Sequence, residues 1–138
     1  MFAIEKIKAV RENGKVQFFK LIKDGVCWFD DFYEEQMKNA RNASDLKKIL
    51  TIMDYMAETN IILPKEKFNS IKQGKNVVGY EFKKNELRVY CLKPTPNVVV
   101  VFGGYKKNQE KDVKRLYKIV DEVKDEIEEL IKEKNDLL

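Results

Sequence analysis

Glu81, Lys83, Arg88, Tyr90, Tyr105, Lys106 and Lys107 fall within a short stretch of chain and carry the side chains needed to handle a phosphodiester. Cleaving RNA without a metal requires a base for the 2′-hydroxyl, cations for the charge that builds on the phosphorane, and an acid for the departing 5′-oxygen. A donor held at that charge is typically worth about 3 to 4 kcal/mol. Arg88 suits this role, because its planar guanidinium can bind two phosphate oxygens at once. Glu81, or a lysine held unprotonated, can take the proton. Tyr90 and Tyr105 can stack on bases. Lys72, Lys75 and Lys84 are further candidates for RNA contacts. Histidine is absent from the 138 residues, which removes the commonest general base and most zinc sites. The chemistry must therefore run on Lys, Arg, Glu, Asp or Tyr, and neither metal nor cofactor is expected.

Three strands are expected to carry these residues, over 77–83, 86–92 and 97–105, joined by a compact turn at Lys84-Asn85 and by Lys93-Pro94-Thr95-Pro96. Strand alternation puts Val78, Tyr80 and Phe82 on one face and Gly79, Glu81 and Lys83 on the other. In the next strand Leu87, Val89 and Cys91 form the apolar set, with Arg88 and Tyr90 opposite. If the apolar sets pack on helices, Glu81, Lys83, Arg88 and Tyr90 share an exposed face. The third strand is nearly all valine, as suits a strand covered on both sides. It runs into Gly103-Gly104-Tyr105-Lys106-Lys107, whose glycines are expected to leave room for a ligand backbone.

Ahead of this meander, residues 2–10 and 16–22 read as a β-hairpin around Asn13-Gly14. A helix follows over 28–38, with Phe29, Phe32 and Tyr33 at helical spacing. A second is expected to start at Ser44 and to present Leu46, Ile49, Leu50 and Met53 on one side. The basic segment 61–75 is broken by Pro64 and Gly74 and suggests a loop with a short helix around 67–71. From Asn108 to about Lys134 apolar residues recur every three or four positions, which predicts one long amphipathic helix. The fold class expected is α+β, a small curved sheet rich in antiparallel pairs with two N-terminal helices packed on it and a long C-terminal helix, in a single domain over 1–138.

The formal charge of +4 is unevenly spread: residues 64–118 hold fourteen Lys/Arg against five Asp/Glu, and the remainder thirteen against eighteen. A basic centre on an otherwise acidic chain is the pattern of a polyanion site. Cys27 and Cys91 sit in hydrophobic contexts, with no spacing that suggests a metal clip or redox pair, and read as reduced thiols. No stretch approaches the roughly 20 apolar residues of a membrane span, and the N-terminus has no signal-peptide pattern. A soluble, cytoplasmic protein with no membrane partner is expected.

The ordered string Leu63-Pro64, Ile71-Lys72-Gln73-Gly74, Gly79-Tyr80-Glu81-Phe82-Lys83, Leu87-Arg88-Val89-Tyr90, the valine strand and Gly104-Tyr105-Lys106-Lys107-Asn108-Gln109 resembles the RelE/ParE toxin superfamily of bacterial toxin–antitoxin systems. It is most similar to the HigB-like, phage-derived branch, over about residues 16–123. The resemblance implies a RelE-like fold and a metal-independent endoribonuclease that enters the ribosomal A site and cleaves translating mRNA. It also implies neutralisation by a cognate antitoxin, expected to be of helix-turn-helix type. By the same resemblance Arg88 would hold the scissile phosphate, Lys106 or Lys107 would be the basic residue after the last strand, and Glu81 and Lys83 would fill the acidic and basic positions of the Tyr-Glu motif. Departures from the family pattern are an extra N-terminal strand and turn (1–15) and an acidic C-terminal helix extension (124–138). Two other readings are a ParE-like gyrase inhibitor of the same superfamily and a non-catalytic RNA-binding or interaction domain.

Overall fold

A strand that is apolar at every position needs cover on both of its faces, and Val98-Val99-Val100-Val101-Phe102 is such a run. The computed structural model, which describes residues 1–61, 63–94 and 96–136, places that run in the interior of one sheet. Thr95 of the expected connection and the last two residues of the C-terminal extension lie outside the described residues, as does Ile62. Along the chain the elements are β1 (Phe2–Lys6), β2 (Phe18–Lys23), α1 (Trp28–Met37), α2 (Ala40–Thr59), β3 (Phe68–Gln73), β4 (Asn76–Lys84), β5 (Leu87–Leu92), β6 (Val98–Tyr105), a 3-10 turn at Lys106–Asn108, α3 (Gln109–Val123) and α4 (Ile127–Asp136). The six strands are ordered β1-β2-β6-β5-β4-β3. All neighbours pair antiparallel except β2 and β6, which run parallel with Phe18 opposite Val98. The class is α+β with a mixed sheet, and among the described residues no helix is long and apolar enough to cross a membrane.

Both faces of the sheet are buried. Val98 and Val100 point with Phe18, Phe82, Leu87 and Val89 towards Phe29, Phe32, Leu46, Ile49 and Met53 of α1 and α2. Val99 and Val101 point the other way, with Phe19, Leu21, Tyr90 and Phe102, towards Leu116, Ile119 and Val123 of α3 and Ile127 and Ile131 of α4. The expected cover on the valine strand is thus present, supplied by the N-terminal helices on one side and the C-terminal pair on the other.

Several local expectations are corrected. Asn13-Gly14 makes no tight hairpin turn, since neither residue has a positive φ and a long connection over 7–17 joins β1 to β2. Gly14 instead lies so close to α2 that a Cβ would sit 2.6 Å from the Ala57 carbonyl oxygen, which accepts from the Val16 N–H at 3.1 Å. The two-residue turn forms at Asp24-Gly25, where φ values of 50 and 81 let the N–H groups of Lys23 and Val26 each donate to the other's carbonyl. Helix α2 begins before Ser44, at Ala40, because the Asn39 side chain accepts from the Asn42 N–H at 3.0 Å and caps it. The segment expected to be a short helix is β3, drawn into the sheet by pairing with β4. The expected long C-terminal helix is two helices, divided by a turn over 124–126 that lets α4 reach β1.

Gly103 and Gly104 serve packing and do not open a ligand channel: a Cβ on Gly103 would meet the Phe32 ring at 2.1 Å, and one on Gly104 would meet Asp112 Oδ2 at 2.2 Å. Gly103→Ala should therefore push Phe32 and α1 off the sheet, at a cost of about 1–3 kcal/mol. A urea unfolding curve measures this directly, and an unshifted midpoint would mean that α1 yields freely.

Candidate functional site

The hairpin of β4 and β5 sets the site. Lys83 pairs with Arg88 and Lys84 with Leu87, leaving Asn85-Glu86 as the turn. Asn85 takes a φ of 51, a left-handed conformation that asparagine tolerates better than most residues. Its side-chain amide donates to the buried carboxylate of Asp45 at 3.0 Å, which ties the turn to α2. Arg88 Nη1 donates to the Asn85 and Leu87 carbonyls, each at 2.8 Å. Arg88 is 7% exposed, and its Nε is buried without a partner.

An open cleft of about 710 Å³ lies between α2 and this turn, and its charged lining is Lys48, Lys67, Lys83, Lys84, Arg88 and Glu66. Among the described residues, none of these five cations makes a salt bridge. Five positive charges against the single negative charge of Glu66 raise the local potential and favour an anion. Lys106 and Lys107 stand exposed at the same end of the sheet, where the Lys106 N–H donates to the Glu86 carbonyl at 2.8 Å. Tyr105 is half-buried: its hydroxyl accepts from Gln36 Nε2 at 2.7 Å, its ring lies 5.9 Å from that of Phe32, and Lys107 Nζ lies 6.0 Å from its centroid.

The expectation that Glu81, Arg88 and Tyr90 share an exposed face is overturned, because α3 covers that face. Glu81 is 1% exposed, and both its oxygens accept from Gln109 Nε2 at 3.0 Å, at the first residue of α3. Tyr90 is fully buried with its ring centroid 4.9 Å from that of Phe102, so it cannot stack on a base in this arrangement. Burial first, and then the charges of Glu81 and Asp112, push its phenol well above the ordinary tyrosine range. Burial also raises the Asp112 carboxyl, with Arg115 and Lys111 opposing. Lys72 and Lys75 lie towards the far end of the hairpin, with Lys72 opposite Val77, about 23 Å along the strand from Lys84. The structure therefore brings together Lys83, Lys84 and Arg88, with Lys106, Lys107 and Tyr105 beside them. It separates Lys72 and Lys75 and encloses Glu81 and Tyr90.

Lys48 and Lys67 were not among the candidates from sequence. Lys48 sits on the polar face of α2, where lysine is unremarked, and reading 67–71 as a helix hid the placement of Lys67 beside β4. Cys91 is buried and Cys27 half-buried, both free. Among the described residues no group of three His, Cys, Asp or Glu gathers to hold a metal ion. No protein-family model, curated protein or solved structure matches this chain.

The Gln109 amide is the recorded hydrogen-bond partner of a carboxylate that is almost wholly enclosed. Gln109→Ala should destabilise the fold by about 1–3 kcal/mol, the cost of leaving a buried acceptor unpaired. Chemical denaturation at neutral pH reads the loss, and Glu81→Gln in the same background should recover part of it by removing the charge.

Proposed function

We propose that this chain is a RelE/ParE-type toxin, nearest the HigB-like branch, that acts as a ribosome-dependent endoribonuclease on translating mRNA. The observation that carries the reading is the cationic cleft at the β4–β5 turn, with Arg88 anchored in its wall and its five cations, Arg88 included, free of salt bridges among the described residues. The sequence string that resembles the family adds weight, as do two helices packed on one face of the sheet ahead of the hairpin.

In this reading Arg88 is anchored by Nη1 in the cleft wall and places its positive charge beside the phosphorane. Lys83 and Lys84 add positive charge in the cleft, and Lys106 and Lys107 add it at the end of β6, beside the strand that carries Arg88. An ammonium among them can protonate the leaving 5′-oxygen. Glu81 is not the group that deprotonates the 2′-hydroxyl, since it is enclosed and paired with Gln109. The chain thus contributes charge stabilisation and a leaving-group proton, while the ribosome supplies both the group that accepts the 2′-hydroxyl proton and the in-line alignment of that hydroxyl, a positioning contribution of several kcal/mol. A small antitoxin neutralises the protein by covering the basic end of the sheet.

Arg88→Ala in a folded, soluble protein should abolish growth arrest on induction, with Arg88→Lys retaining only a small part of it. Mapping mRNA 5′ ends after induction should show new cuts within translated codons for the unaltered chain and none for Arg88→Ala. Growth arrest with intact mRNA and inhibited supercoiling would replace this reading with a gyrase inhibitor. Harmless expression without a partner would replace it with a binding domain.

A further inference from the structure

Two walls of the cleft come from parts of the chain outside the hairpin. Lys48 is exposed on α2, with Thr51 and Ile52 three and four residues on and so on the same side of the helix, both also lining the cleft. Lys67 is held beside the hairpin by its backbone: its carbonyl accepts from the Lys83 N–H at 2.9 Å, and its own N–H donates to the Pro64 carbonyl at 2.9 Å. The bond from Asn85 to Asp45 fixes the distance between the two walls. The backbone positions of these cations are therefore set by main-chain bonds and by a part-buried side-chain bond between the turn and α2.

The lining also lacks something. Among the described residues no aromatic side chain lines the cleft, and apart from its charged groups the lining is Thr51, Ile52 and Asn85. The stacked pair of Phe68 and Tyr80, 4.9 Å apart and 3° from parallel, lines a separate cavity with Ile61 and Leu63. Bases in single strands are held by stacking on aromatic rings and told apart by hydrogen bonds to their edges, whereas phosphate contacts position the strand without reading it; the Asn85 amide in this lining is already engaged by Asp45. The volume is that of a pocket for a ligand of several groups, within the usual range of about 300–1,000 Å³, and exceeds the needs of one phosphate.

We infer that Lys48 and Lys67 each hold one phosphate of an RNA strand whose scissile phosphate lies at Arg88, so that the cleft grips the sugar–phosphate chain and does not distinguish bases. This rests on the endoribonuclease reading above. Lys48 and Lys67 are positioning residues: they act on the strand that flanks the reaction and touch none of the reacting atoms. Any codon preference then arises outside the cleft.

Fluorescence anisotropy of labelled octauridylate and octaadenylate RNA with the purified full chain tests this without the ribosome. The Lys48→Gln/Lys67→Gln double variant should bind both oligonucleotides about tenfold more weakly near 0.15 M salt, with the slope of log K against log salt reduced by about 1.4, the value for two single-strand phosphate contacts. A Lys8→Gln/Lys132→Gln variant, equal in charge change but remote from the cleft, should leave both within twofold. Unchanged affinity and slope in the first variant would overturn the inference, as would a preference above tenfold between the two oligonucleotides. In either case codon cleavage that still depends on Arg88 would leave the endoribonuclease reading standing. Failure of the unaltered chain to bind RNA, together with absence of cleavage, would overturn both.

Discussion

Val98, Val99, Val100 and Val101 send methyl groups alternately to opposite sides of the sheet, so neither side can be left to water. Burial of each such side chain is worth about 1.5–3 kcal/mol, and the molecule is arranged to collect that gain twice. Helices α1 and α2 close one face and α3 and α4 the other. The parallel pairing of β2 with β6 and the antiparallel pairing with β5 satisfy the backbone of the same strand on both edges. Once both faces are covered, a functional surface has to lie at an end of the sheet or along a rim. The cationic cleft lies at such an end, where the β4–β5 turn meets α2.

Much of this was legible in the sequence. The unbroken valines announced a doubly covered strand, the meander strands fall close to their expected limits, and the turn expected at Lys84-Asn85 lies one residue later, at Asn85-Glu86, because asparagine accepts the left-handed conformation found there. Strand alternation also paired Lys83 with Arg88 correctly in side. It could not say that α3 would lie over Glu81 and Tyr90, since alternation separates two faces without stating which is covered. The apolar stripe of Leu116, Ile119, Val123, Ile127 and Ile131 was the available signal. Such a stripe needs a surface to pack on, and the face that carries Tyr90 was the one left.

Elements governed by distant partners were the least legible. Phe68-Asn69-Ser70-Ile71 has no strong periodicity of its own and becomes a strand only by pairing with β4. Lys124-Asp125-Glu126 contains neither glycine nor proline, yet the chain turns there because α4 gains contact with β1. Gly14, Gly103 and Gly104 looked like turn or ligand glycines, but each makes room for a neighbouring element. In the candidate site the residue types were informative and the depth was not. Arg88 and Lys83 belong to the cleft as their types suggested, while the carboxylate and the phenol turned inward, where Gln109 and Phe102 meet them.

The parallel join of β2 to β6 also shapes the history of each molecule. The Gln17 N–H and the Asn97 side chain that it meets at the start of this join are 80 residues apart in sequence, so all of the intervening chain must be synthesised before the sheet can close. At roughly 5–20 residues per second of translation, Phe18 and Phe19 wait several seconds for their partner strand. Long-range pairing of this kind slows folding relative to local helix contacts. The residues of the cleft, by contrast, emerge earlier, but the hairpin that carries them has no finished core to lean on until β6 arrives. The cationic cleft therefore gains its supporting core only after β6 has been made.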